Sequence, residues 1–120
     1  MGKMTHSEGY RSYAGTDSGN HSEGGYWGGS ANYLRGGTCT DGSYGSHAEG
    51  LATIVQSGIG AHAEGCGSIA KGSGSHAEGG YWKSQGKDVS SMYSGGTYAG
   101  GKAAHSEGNF TSAMGNYSHS

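Results

Sequence analysis

Every histidine and every glutamate of this chain falls in one short motif. His-Ser-Glu-Gly begins at His6, His21 and His105, His-Ala-Glu-Gly begins at His47, His62 and His76, and His119-Ser120 opens a further copy. Side chains two residues apart in an extended strand lie on the same face. The pairs His6/Glu8, His21/Glu23, His47/Glu49, His62/Glu64, His76/Glu78 and His105/Glu107 therefore each present an imidazole and a carboxylate together. Such a pair can ligate a divalent metal, respond to pH, or hydrogen-bond along and between repeats. A flat ladder of identical pairs does not converge on a point as metal sites do, so the expected role is to hold the repeats in register. No metal or other cofactor is assigned. Stacked imidazoles would repel one another once protonated, which predicts loosening below about pH 6.

Catalysis finds little footing. Serine and histidine are abundant only as copies of one another, whereas an active site needs one unlike constellation in a pocket. The chain is read as a non-enzyme. A second candidate surface is aromatic: Tyr26-Trp27 and Tyr81-Trp82 follow the same glycine in two corresponding places. Rings among Gly, Ser and Asn suit a sugar or a protein partner. They equally suit small local clusters covering irregular repeats, and both readings stay open.

The spacing of the motif says what positions these groups. Successive motif histidines are 15, 26, 15, 14, 29 and 14 residues apart. The unit is therefore 14–15 residues, and each long gap is expected to hold one degenerate unit, near 30–40 and 88–98. Residues 62–119 repeat the arrangement of 6–62 at an offset of 55 to 58, as a tandem duplication would. Each unit also splits in two. Ser68-Ile69-Ala70-Lys71-Gly72 and Ser75-His76-Ala77-Glu78-Gly79 share the form Ser/Thr-x-small-x-Gly, as do segments starting at Thr97 and Thr111. Alternation over about five residues closed by Gly is a short strand and a turn, and no helical period competes with it. Two strands and two turns per unit predict an all-β, parallel β-solenoid of 14–15-residue coils, one domain spanning residues 1–120.

Composition agrees with that reading once stacking is allowed. Of 120 residues 28 are Gly, none is Pro and 31% are hydrophobic. A conventional core gains about 25 cal/mol per Å² of buried apolar area, and small side chains supply little of it. Backbone ladders between stacked coils supply the difference. Ser75 and Ala77 should point inward with Ser68 and Ala70, leaving His76 and Glu78 outward on one sheet and Ile69 and Lys71 outward on the other. The outer face of the second sheet carries Tyr13, Ile54, Ile69 and Met114, an apolar stripe expected to contact another chain. A net charge of −2 and a pI near 6.3 disfavour nucleic acid, and no stretch is apolar enough to insert in a membrane. Cys39 and Cys66 lack metal-ligand spacing and are read as free thiols or as a disulfide within or between chains.

Ser46-His47-Ala48-Glu49-Gly50, Ala61-His62-Ala63-Glu64-Gly65 and Ser75-His76-Ala77-Glu78-Gly79, with the alternating halves between them, resemble the head repeats of trimeric autotransporter adhesins. They look still more like the related repeats of phage and prophage tail fibres. The resemblance runs from about Thr5 to Ser120, broken at the two Gly-Tyr-Trp segments. It implies a left-handed β-roll, three chains side by side, in an extracellular, cell-surface or virion-attached fibre that serves as a rigid scaffold and meets a receptor or glycan. No capping unit is recognisable, so an open filament growing head to tail is the second expectation, and a small lectin using Trp27 and Trp82 the third.

Overall fold

In the computed structural model the described residues are 4–9, 12–15, 18–25, 39–41, 44–51, 53–80 and 97–120. They form short strands and turns, with no helix among them. In chain order the strands are β1 (His6–Glu8), β2 (Tyr13–Ala14), β3 (His21–Gly25), β4 (Cys39–Asp41), β5 (His47–Leu51) and β6 (Ile54–Gln56). They continue with β7 (His62–Cys66), β8 (Ile69–Ala70), β9 (His76–Gly79), β10 (Tyr98–Ala99), β11 (His105–Gly108) and β12 (Ser112–Ala113).

Odd-numbered strands form one six-stranded sheet in the order β1-β3-β5-β7-β9-β11, and even-numbered strands form a second in the order β12-β10-β8-β6-β4-β2. The pairings within both sheets are parallel, and motif residues align with their own kind: His47 with His62, Ala48 with Ala63, Glu49 with Glu64, Gly50 with Gly65. The fold class is thus all-β and parallel, with the chain alternating between two sheets and each return landing one strand further on.

The first sheet runs in register across both long gaps. His21 pairs directly with His47 and His76 directly with His105, so neither gap places a strand of its own between them in the first sheet. In the second sheet each gap supplies a single strand, β4 and β10. The expected degenerate units near 30–40 and 88–98 fall mostly outside the described residues.

Small residues fill the space between the sheets, as alternation requires. Ala48, Ala63 and Ala77 from the first sheet and Val55, Ala70, Ala99 and Ala113 from the second are buried. Ser22, Thr40, Thr53, Ser68, Ser75, Thr97 and Ser106 are buried among them. Val55 is the largest fully buried side chain among the described residues. Hydroxyls in so thin an interior need partners, and several find backbone carbonyls: Ser46 Oγ donates to Gly58 O at 2.8 Å, Ser68 Oγ to Gly79 O at 3.0 Å and Thr97 Oγ1 to Gly108 O at 2.6 Å.

The motif glycine has two physical reasons to be glycine. Its φ is positive, +97° at Gly65 and +109° at Gly50, a region L-residues avoid. A Cβ at Gly65 would also run into the carbonyl oxygen of Gly79, and one at Gly50 into that of Gly65. A second positive-φ corner lies two residues before each histidine from His21 onward. It holds Gly45, Gly60 and Gly74, whose missing Cβ atoms would meet open space, but also Ala103 and Tyr117 at φ 50° and 58°. Without a steric clash, that corner tolerates a side chain.

Candidate functional site: the histidine–glutamate ladder

The backbone sets the spacing of the ladder. Each motif histidine N–H donates to the carbonyl preceding the next histidine along the stack: His6 to Asn20, His21 to Ser46, His47 to Ala61, His62 to Ser75, His76 to Ala104 and His105 to Ser118, at 2.8–3.0 Å. With side chains projecting from equivalent positions, the rings must stack at the strand repeat, about 4.7–4.9 Å. They do. Neighbouring imidazole centroids from His6 through His119 are 4.5–4.9 Å apart. The planes are within 11° of parallel except at His105–His119, which opens to 28°.

Each carboxylate flanks the stack. His Nε2 to Glu Oε2 separations within a strand are 3.5 Å for His6/Glu8 and His21/Glu23, 3.3 Å for His47/Glu49, 3.6 Å for His62/Glu64 and 3.9 Å for His76/Glu78. Further along, the pairing steps across to the neighbouring strand. His105 Nε2 lies 3.3 Å from Oε1 of Glu78, and His119 Nε2 lies 3.9 Å from Glu107 Oε1. All twelve ladder residues expected from the sequence are thus in one row on one face.

Electrostatics within the row are uneven. Burial, then the neighbouring His76 and His47, push the His62 pKa down, against an opposite pull from Glu49 and Glu78. Burial and a hydrogen bond with Glu78 raise the Glu64 carboxyl. The same hydrogen bond, with one from His105, lowers Glu78. A carboxyl–carboxylate pair sharing a proton produces opposite shifts of this kind. The sequence displays the histidines and glutamates but not this sharing, because it depends on which neighbour each side chain leans toward.

Four histidines leave a nitrogen unsatisfied. Nε2 of His21, His47, His62 and His76 is buried and makes no hydrogen bond, the nearby carboxylate lying outside hydrogen-bonding geometry. Three-residue groups with one ligand atom each within 4.8 Å of the others occur at His21/Glu23/His47, His47/Glu49/His62, His62/Glu64/His76 and His105/Glu107/His119. The ladder therefore does bring imidazole and carboxylate atoms together, more closely than its flatness suggests.

The second sheet presents two outward columns. Ile54 and Ile69 are aligned and half-buried, and the column runs through Tyr13 at one end and Tyr98 toward the other. Met114 follows β12 and lies in the adjacent column with Gln56 and Lys71, 63% exposed. Tyr98 differs from the exposed Tyr13 of the same column. It is only 8% exposed, its ring lying over Gly100, where a Cβ would strike it. Tyr44, by contrast, is 52% exposed. Tyr26, Trp27, Tyr81 and Trp82 lie outside the described residues. Cys66 is a free, half-buried thiol whose pKa burial raises. No helix among the described residues is long and apolar enough to cross a membrane.

Comparison with family models, curated proteins and solved structures gives no match. The functional reading therefore rests on the geometry above and on the likeness of the motif itself.

Proposed function

We propose that this chain is a parallel β-solenoid that serves as a rigid structural segment of a fibrous surface or phage tail protein, extracellular or virion-attached, assembled side by side with copies of itself. The observation that carries this reading is the register. Each chemistry-bearing motif residue meets its own counterpart one strand along, so the site is a repeated surface and not a converging pocket. Repetition of that kind favours stiffness and length over turnover. The left hand and the three-chain assembly come from the motif resemblance, and the half-buried Ile54 and Ile69 supply a face on which copies would meet.

An open filament is the second reading. Its support is the parallel, in-register pairing, by which the edge of one circuit is a template for the next. A lectin role is the third: Tyr26-Trp27 and Tyr81-Trp82 follow the same glycine at corresponding places in the sequence, starting one or two residues after β3 and β9. Negative-stain electron microscopy with mass photometry on the whole chain separates these. Discrete short rods of about three chains fit the fibre segment, and threads of open-ended length fit the filament. A monodisperse monomer that binds glycans until Trp82→Ala is introduced would replace both with the lectin.

A further inference from the structure

We propose that the histidine–glutamate ladder is a linear array of binding sites for imidazole-preferring divalent metal ions, of which Zn²⁺ is the representative probe. Each ion would be held by two successive imidazoles and the carboxylate of the first. This goes beyond the scaffold role and depends only on the ladder, so it can fail while the scaffold stands.

The first argument is distance. At His21/Glu23, His47/Glu49 and His62/Glu64 the Nε2 to Oε2 separations are 3.3–3.6 Å. An N–H···O bond is shorter, about 2.7–3.2 Å. Two ligands on a tetrahedral Zn²⁺, with bonds of about 2.0–2.2 Å, sit roughly 3.3–3.5 Å apart. The nitrogen and oxygen thus lie at a spacing that two ligands of one ion adopt.

The second argument is the unsatisfied nitrogen. Nε2 of His21, His47, His62 and His76 is buried without a hydrogen bond, although burying a polar atom unpaired is unfavourable. A metal is the partner that lets the imidazole nitrogen and the carboxylate both act as acceptors of one positive charge. The third is charge: six glutamates in register on one face favour a cation over solvent alone. Imidazole donors select Zn²⁺, Cu²⁺ or Ni²⁺, whereas Mg²⁺ and Ca²⁺ prefer all-oxygen sets.

Parallel rings aim their nitrogens in the same direction, so the second imidazole must swing inward from the limit of 4.8 Å to complete a site. That is a side-chain rotation, with a water free to fill the remaining position. Sharing then fixes the capacity. Among the described residues, His47 and His62 each belong to two of the four groups. If each histidine serves one ion, His21/Glu23/His47, His62/Glu64/His76 and, once His105 Nε2 leaves its hydrogen bond to Glu78, His105/Glu107/His119 can fill together, and His47/Glu49/His62 is left out. The array takes three ions.

The test is equilibrium dialysis and thermal melting of the chelator-treated whole chain with ZnCl₂ at about pH 7.5, where imidazole is neutral. Zn²⁺ should bind to a limit of three per chain and raise the melting temperature, while MgCl₂ and CaCl₂ do neither. Glu64→Gln, with folding checked by circular dichroism, should lower the limit to two. Glu49→Gln removes the carboxylate of the group left out and should keep it at three. Co²⁺ substitution should give the intense visible absorption of a tetrahedral site. Absence of Zn²⁺ binding, or equal loss in Glu49→Gln and Glu64→Gln, would overturn the proposal.

Discussion

The His105 imidazole sits 3.3 Å from the carboxylate of Glu78, on the neighbouring strand β9, although 27 residues separate the two in sequence. Glu78 also flanks His76 of its own strand at 3.9 Å and is hydrogen-bonded to Glu64. It therefore joins three successive circuits.

Removing that junction should be visible at Glu64. In Glu78→Gln the negative neighbour and its hydrogen bond to Glu64 as a carboxylate disappear. The Glu64 carboxyl should then titrate closer to its ordinary value, yet remain raised because burial is the larger cause. Carbon-13 NMR of the Glu64 carboxyl across the acid range reads this directly. An unmoved Glu64 titration would mean that the two carboxyls do not share a proton.

Stability should fall as the solution is acidified through the imidazole range. The folded-state pKa of His62 is pushed below its ordinary value, so the unfolded chain takes up the proton first. A lowered histidine contributes stability that is fully present above its unfolded value of about 6.5 and is lost as pH falls through that value toward the folded one. Glu64, being raised, acts in the opposite sense at lower pH, and Glu78, being lowered, loses its contribution as pH falls below the usual glutamate range. Melts in chelator at pH 8 and near pH 5.5 should show a lower midpoint at the acid value, by roughly 4–8 °C for each kcal/mol lost. Equal midpoints would remove the imidazole contribution.

The two kinds of glycine corner should respond differently to alanine. Gly60 has positive φ but open space, the situation that Ala103 already occupies. Gly60→Ala should cost about 1–2 kcal/mol, the price of a left-handed L-residue. Gly65→Ala adds a collision with the Gly79 carbonyl and should destabilise further or prevent folding. Urea denaturation of the two variants compares them. Equal losses would show that the sheets can spread to admit a methyl group.

The thin interior should reject bulk. Ala63 is fully buried between the sheets, and Ala63→Leu should cost roughly 1–3 kcal/mol or more by overpacking. Ile69→Gln, on the outward face, should leave the monomer fold intact and act on self-association. Denaturation midpoints with sedimentation velocity distinguish the two effects. A stable Ala63→Leu protein would mean that the space between the sheets is larger than its Ala, Ser and Thr lining implies.

Much of this arrangement is legible in the sequence because it is periodic. Alternation assigned Ser75, Ala77, Ser68 and Ala70 to the interior, where they are buried, and His76 and Glu78 to the outer face, where they are half-buried. What escaped it is non-periodic. Whether 26 or 29 residues make one circuit or two depends on which histidines pair, and only the register of β3 with β5 and β9 with β11 decides it. Tyr98 occupies an outward position, yet it is buried because Gly100 leaves room for its ring. The partner choice of Glu78 is likewise set by side-chain lean that no spacing encodes.

The most direct test of an unbroken ladder is a nuclear Overhauser measurement between the ring protons of His76 and His105 in the whole chain. Their centroids are 4.9 Å apart, against 4.8 Å for His62 and His76, so the two cross-peaks should be of similar strength. A full additional circuit between them would separate the rings by roughly 9–10 Å, twice the strand spacing, and the His76–His105 cross-peak would be missing. That result would contradict the continuous stack.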